Sequence, residues 1–364
     1  MYQIEKEKVL IITNHSYMLW RFRKELITAL MEDHQVVLSM PFVGHEDDFR
    51  EMGVKCIETK IDRRGINPRT DLHLMASYDR ILRQEKPDMV ITYSIKPNIY
   101  AGILCMFRNI PYYANVQGLG TAFQKKGLSQ FVALLYKVAF FKVNKVFFEN
   151  KRNAEEFSRR HIISGKKQKV LHGAGINLEH YGYEPYPSHE TIHFLYLGRI
   201  MKEKGMDELL SAVNRLRQEG ENFVLDIVGF FEDAYEKQIS ELEQEKIAVF
   251  YGFQENPKPY YAVSDCVVLP SYHEGMSNVL LEAAATGRPL ITTNIPGCRE
   301  VVEQGKTGIL VQAKSSESLY KGMKKFLHLP HKKREVMGKL GREKMEKEFR
   351  KEEVVEETMQ AMGL

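Results

Sequence analysis

Short runs of β-branched and aliphatic residues recur along the chain, separated by longer stretches whose apolar positions have helical spacing. In the first half the runs are VLIIT (9–13), QVVLSM (35–40), DMVITYS (88–94), PYYANV (111–116) and KVFFEN (145–150). The rhythm restarts at IHFLYLG (192–198) and continues through FVLDIVG (223–229), AVFYG (248–252), DCVVLP (265–270) and PLITT (289–293). Continuous apolar runs suit strands covered on both faces, so the pattern predicts an α/β protein with helix-covered parallel sheets. Between the two series lies HGAGINLEHYGYEPYPSHE (172–190), rich in Gly, Pro and Tyr and read as a linker. The division is therefore a first domain over 1–172, a linker over 173–190, a second domain over 191–331 and a charged helix over 332–364.

Composition agrees with two ordinary domains. The 364 residues are 43% hydrophobic and 27% charged, values of a soluble globular protein. Cys56, Cys105, Cys266 and Cys298 lie far apart with no C-x-x-C pair, as expected of idle thiols in a reducing cytoplasm. Met1–Lys8 is polar and the Val9–Thr13 run is strand-length, so no signal peptide is expected. No stretch reaches the roughly 18 apolar residues of a membrane span.

Charge divides the halves. Residues 1–172 hold 28 Lys+Arg against 18 Asp+Glu, and the remainder 24 against 30. The excess peaks between Met89 and Phe148, which contain seven Lys or Arg and no Asp or Glu. Within that window GLSQFVALLYKVAFFKVNKVFF (127–148) threads Lys137, Lys142 and Lys145 through an aromatic, apolar helical pattern. A core helix with outward lysines would read this way, but the missing acids favour contact with an anionic membrane surface. Nucleic acid is not an expected partner, since the basic half contains no recognised binding module.

Two segments carry candidate chemistry. In PSYHEGMSNVLLEAAATGRP (270–289), Glu274 lies in a loop after a strand and Glu282 inside a helix opening at Gly275-Met276-Ser277-Asn278. A helix N-terminus presents free N–H groups to anions, so the context fits a phosphate site as well as a simple helix cap. The interval alone is uninformative, because Glu348 and Glu356 repeat it in the charged terminal helix. The second segment is Gly198-Arg199-Ile200-Met201-Lys202-Glu203-Lys204-Gly205, where Gly198 allows close backbone approach and Arg199 and Lys204 offer cations to a diphosphate. Gly229, ending the next strand, is expected at the same carboxyl edge.

Together with Pro296-Gly297-Cys298-Arg299-Glu300 and Gly305-Lys306-Thr307-Gly308, these segments resemble the retaining family-4 glycosyltransferases, which have the GT-B fold of two Rossmann-like domains facing across a cleft. The resemblance implies that Glu274 contacts the donor sugar, that Glu282 binds the nucleotide ribose, and that Arg199 and Lys204 neutralise the leaving nucleoside diphosphate. His273, Gly275, Met276, Ser277 and Asn278 would line the donor, although His273 equally suits a packing role. It also implies a UDP-linked donor, retention of anomeric configuration, and a terminal helix that crosses back to the first domain. No metal cofactor is expected, there being no D-x-D motif and no His/Cys cluster at ligand spacing.

TYSIKPNIYAGIL (92–104) and NVQGLGTAFQKKGL (115–128) resemble the subset that extends polyprenyl-diphosphate-linked sugars in surface polysaccharide assembly. Lys96, Lys125 and Lys126 are then candidate contacts to the acceptor diphosphate or to lipid headgroups, at the cytoplasmic face of the membrane. The chain departs from many relatives in two places. The loop after the first strand, Thr13-Asn14-His15-Ser16-Tyr17, has no glycine, and Gln117 stands where a histidine is common. Glutamine cannot act as a base, so Gln117 would only orient groups. His15 is open between acceptor contact and capped loop residue. Two other classes stay in view. A nucleotide-sugar 2-epimerase shares the GT-B fold and would act on UDP-N-acetylglucosamine without acceptor, but it would not need the acid-free window. A non-catalytic transferase subunit would be expected to lack Glu274, Arg199 or Lys204, all three of which are present.

Overall fold

The computed structural model describes residues 6–62, 65, 67–119, 123 and 126–364. They form two compact units, one running to Ala174 and taking back Glu352–Leu364, the other spanning Gly175–Lys351.

The first unit is built on seven parallel strands: β1 (Lys8–Ile12), β2 (Gln35–Met40), β3 (Lys55–Glu58), β4 (Met89–Tyr93), β5 (Tyr112–Val116), β6 (Lys145–Phe148) and β7 (Gln168–Val170). Their order is β3-β2-β1-β4-β5-β6-β7. Leu10 and Ile12 enter one hydrophobic cluster while Val9 and Ile11 enter another, so the sheet is covered on both faces and every central position must be apolar. The second unit has six parallel strands: β8 (Ile192–Leu197), β9 (Phe223–Val228), β10 (Ala248–Phe250), β11 (Cys266–Leu269), β12 (Leu290–Thr293) and β13 (Gly308–Val311), ordered β10-β9-β8-β11-β12-β13.

The apolar runs locate β1, β2, β4, β5, β6, β8, β9, β11 and β12, and also the three-residue edge strand β10. They miss β3, β7 and β13, the first two of which read KCIE and QKV. β3 and β7 are edge strands with exposed or half-buried residues, and an edge with one open side needs no apolar run, whereas β13, GILV, is an edge strand that is mostly buried and is missed all the same.

Two boundaries differ from the sequence reading. The segment taken as a linker over 173–190 belongs to the second unit from Gly175 onward. The buried Arg288 guanidinium donates to the carbonyls of Glu184 and Pro185, Arg342 donates to that of Tyr181, and Tyr186 donates to that of Asp265. Gly and Pro there serve packing of an irregular strap, which composition alone does not separate from a free linker. The charged stretch 332–364 is two helices, His331–Glu348 and Lys351–Met362. The break falls where Phe349 is buried in the core and Ile176 hydrogen-bonds to both Phe349 and Lys351. The second of these helices joins the first unit: Val354 and Met362 lie in the cluster of Val9 and Ile11, and the Tyr113 hydroxyl donates to the Met362 carbonyl at 2.9 Å.

Candidate active site

In the second unit the strand order reverses between β8 and β11, which pair directly with Leu195 opposite Val267. Connections leave a reversal point in opposite directions, and the crevice beyond the strand carboxyl ends is where α/β sheets take ligands. The loops leaving β8 and β11 are the two segments singled out in the sequence.

Glycine lets these loops meet. Gly198 and Gly229 have φ of +147° and +154°, and a Cβ on Gly229 would lie 1.8 Å from the Gly198 carbonyl oxygen. Gly205, at φ +77°, sits so close to β11 that a Cβ would lie 2.1 Å from the Pro270 oxygen. The Tyr272 N–H donates to the Glu203 carbonyl at 2.9 Å and fastens one loop to the other. Lys204 and Glu274 are thereby joined, Nζ donating to Oε1 at 2.5 Å, and Ser271 Oγ donates to the same oxygen at 2.7 Å. Arg199 is held separately. Its exposed guanidinium donates to Glu232 Oε2 at 2.6 Å, while its carbonyl accepts from the Tyr196 hydroxyl at 2.6 Å. Burial, with the Glu274 carboxylate nearby, pushes the Cys298 thiol far up, so it stays protonated.

Ser277 caps the helix Asn278–Ala285, its side chain accepting from the Leu280 N–H. Its own N–H donates to the Gly297 carbonyl at 2.9 Å. Gly297, at φ +86°, passes so near the loop that a Cβ would lie 2.4 Å from the Gly275 oxygen and 2.9 Å from Glu274 Cβ. His273 is exposed, while Glu274, Gly275 and Asn278 are half-buried. The Met276 side chain enters the core, so only its backbone can face a ligand. Glu282 has a different setting from Glu274: it is 2% exposed and accepts from the Tyr261 hydroxyl at 2.8 Å.

The first-unit candidates are dispersed. His15 stands at the N-cap of the helix Ser16–Asp33 without a side-chain cap bond and packs edge-on against Tyr17. Gln117 follows β5 and approaches the Met18 sulfur at 3.6 Å. Lys96 donates to Asp71 Oδ1 at 2.7 Å and lines a cavity of about 750 Å³ between the helix Pro68–Glu85 and the loop after β3. Lys126 opens the helix Lys126–Ala139, and Lys125 lies outside the described residues.

Sequence reasoning missed Ser271 and Glu232, the partners that fix Glu274 and Arg199. It also missed Phe230 and Phe253, exposed aromatics 6.2 Å apart that follow Gly229 and Gly252 at the same sheet edge. The signal was available, since a large apolar residue directly after a strand-ending glycine has little core to enter. Among the described residues no group of three or more His, Cys, Asp or Glu is placed to hold a metal ion.

Two doubly wound parallel sheets, one with a glycine-built, charged crevice at its reversal point, make this a GT-B fold. The chain belongs to the glycosyltransferases: residues 186–344 match the family described as glycosyl transferases group 1, and residues 8–150 that described as glycosyl transferase 4-like. It is 26% identical over 321 residues to the N,N'-diacetylbacillosaminyl-diphospho-undecaprenol alpha-1,3-N-acetylgalactosaminyltransferase of Campylobacter jejuni, covering 83% of this chain and 84% of that protein. Capsular polysaccharide biosynthesis glycosyltransferase CapM of Staphylococcus aureus is 26% identical over 313 residues, 81% of each chain. Among solved structures, Anabaena Alr3699/HepE in complex with UDP superimposes with a TM-score of 0.78 at 15% identity, covering 98% of this chain and 99% of that one.

Proposed function

We propose that the protein transfers a sugar from a nucleoside diphosphate, UDP, to a saccharide carried on a polyprenyl diphosphate, in the assembly of a bacterial surface polysaccharide. The observation that carries the donor side is the 2.5 Å pairing of Lys204 with Glu274 in the crevice between β8 and β11. The relatives carry the acceptor side, one acting on an undecaprenyl-diphosphate-linked sugar and the other working in capsule synthesis. On this reading the reaction takes place at the inner face of the cell membrane, where a nucleotide-sugar and a lipid-linked acceptor would meet.

As the bond from the anomeric carbon to the diphosphate oxygen breaks, negative charge builds on the leaving group. Lys204 and Arg199 exchange their present carboxylate partners for phosphate oxygens, stabilising that charge without a resident metal. Glu274, released from Lys204, holds the donor sugar, and Glu282 is the ribose contact. The acceptor hydroxyl attacks from the face the diphosphate leaves, so configuration is retained. Its proton passes to the departing phosphate oxygen.

The test is turnover of Lys204→Ala and Arg199→Ala with a panel of nucleotide-sugars and a polyprenyl-diphosphate-sugar acceptor, in the presence of EDTA. Removing either cation should cost about 10²–10³ in kcat with the melting temperature nearly unchanged, the size typical of losing one group that stabilises developing charge. Turnover close to wild type in both variants sinks the assignment. Turnover of UDP-N-acetylglucosamine without acceptor points to epimerisation instead.

A further inference from the structure

The helix Lys126–Ala139 is apolar on two opposite sides. Toward the interior it contributes Val132, Ala133, Tyr136 and Ala139 to the core. On its outer side Phe131 is 55% exposed, Leu134 57% and Val138 40%, and Phe141, just past the helix end, is 74% exposed. Intervals of three and four residues set Phe131, Leu134 and Val138 on one stripe about 10 Å long, and Phe141 follows in the turn, its N–H donating to the Val138 carbonyl at 3.2 Å. Phe107, 74% exposed, lies near the end of the helix Ile95–Arg108, which the hydrogen bond from Lys142 Nζ to Asn109 Oδ1 draws alongside. The outward face of a helix on a globular domain is ordinarily polar, and a helix apolar all round is built for burial or for lipid.

Charge selects the partner. The residues flanking the stripe are Lys137 and Lys142, both exposed, and the sixty residues from Met89 to Phe148 contain no acid that would repel an anionic surface. A protein partner of ordinary composition would meet lysines on an apolar strip with no acidic counterpart. A bilayer with anionic headgroups meets both features at once: acyl chains for the phenylalanines and lipid phosphates for the lysines. Among the described residues no helix is long and apolar enough to cross a membrane, and at 14 residues this one would lie along the surface.

We propose that Phe131, Leu134, Val138, Phe141 and Phe107 form an insertion face that enters the interfacial layer of an anionic bilayer, with Lys137 and Lys142 on the lipid phosphates. This rests on the reading of a lipid-linked acceptor and adds the face by which the protein reaches it. The experiment is co-sedimentation with vesicles of phosphatidylglycerol and phosphatidylcholine in equal parts, against pure phosphatidylcholine. It compares the wild type with Phe131→Ser/Phe141→Ser and Lys137→Gln/Lys142→Gln.

Wild type should bind the anionic vesicles. The phenylalanine pair should lower partitioning about tenfold or more at every salt concentration, and the lysine pair should remove the salt-sensitive part. Turnover with a water-soluble, short-chain acceptor should stay at the wild-type level in both variants. If no protein turns over any acceptor while wild-type vesicle binding persists, the transfer reading falls and the insertion face stands. The proposal is overturned if wild type ignores anionic vesicles or if the phenylalanine pair binds like wild type. It is equally overturned if wild type is a dimer that the phenylalanine pair makes monomeric, since a second copy would then cover the stripe.

Discussion

The two units repeat one topology but equip it differently. Each sheet reverses its strand order next to its first strand, between β1 and β4 in one and between β8 and β11 in the other. At the second reversal, the places where backbones nearly collide are glycines, and the loops end in a lysine–glutamate pair. At the first, the loop leaving β1 contains no glycine, and Ser94 Oγ donates to Asn14 Oδ1 at 2.8 Å, a neutral bond. Ser94 follows β4 with φ +77° and ψ 161°, a backbone region suited to glycine. Topology therefore supplies a crevice in both units, while a few loop residues decide whether it is charged and closely packed or neutral and strained.

The largest way to break this comparison is Gly205→Ala. Its Cβ would lie 2.1 Å from the Pro270 oxygen at a backbone angle that disfavours side chains. The expected loss is about 2 kcal/mol or more in urea unfolding, together with weakened UDP binding by calorimetry, because the Lys204 loop must move off β11. Unchanged stability and affinity would mean that the close approach does not position the pair.

A smaller effect sharpens the other side. Ser94→Ala loses the bond to Asn14 and keeps the strained backbone, lowering stability by about 1 kcal/mol. Ser94→Gly loses the same bond but relieves the strain, so it should melt above the alanine variant. The reverse order would show that Ser94 is not strained.

The smallest effect is at the opposite end of the second sheet. The His193 ring is hydrogen-bonded to Asp226 at 2.8 Å, and this bond raises the histidine pKa above its ordinary value against the opposing effect of burial. A raised folded-state pKa gives stability that is complete below the unfolded-state value, near 6.5, and lost as pH climbs through the folded-state value. Unfolding should thus need less denaturant at pH 8 than at pH 6 by an increment that Asp226→Asn removes. An increment that survives Asp226→Asn would assign it to another group.

How much of this the sequence discloses follows from how far apart the partners are. The inner strands are legible because burial on both faces demands an unbroken apolar run. The edge strands β3 and β7 are not, because KCIE and QKV answer only to their one neighbour. The resemblance to a known family marked Glu274, Lys204 and Arg199. It left unmarked that Arg199 is bonded to Glu232, thirty-three positions on, and that Lys96 is engaged by Asp71 on another helix. Such pairs are products of strand order, which local pattern does not encode. The apolar outer face of the helix Lys126–Ala139 was visible as composition, but which residues face outward emerged only with the packing of its inner face.

The helix Lys351–Met362 has a consequence for the order of assembly. Val354 and Met362 belong to the same core cluster as Val9 and Ile11, yet they leave the ribosome after every residue of the second unit. The half made first therefore closes last. Until residues 352–364 emerge, the face of its sheet that the helix Ser16–Asp33 also covers is only partly closed, while the later-made half already has its full set of strands. A chain stalled short of that helix would lack the apolar contribution of Val354 and Met362 to this cluster, and the part of the face they cover would be open to chaperone capture.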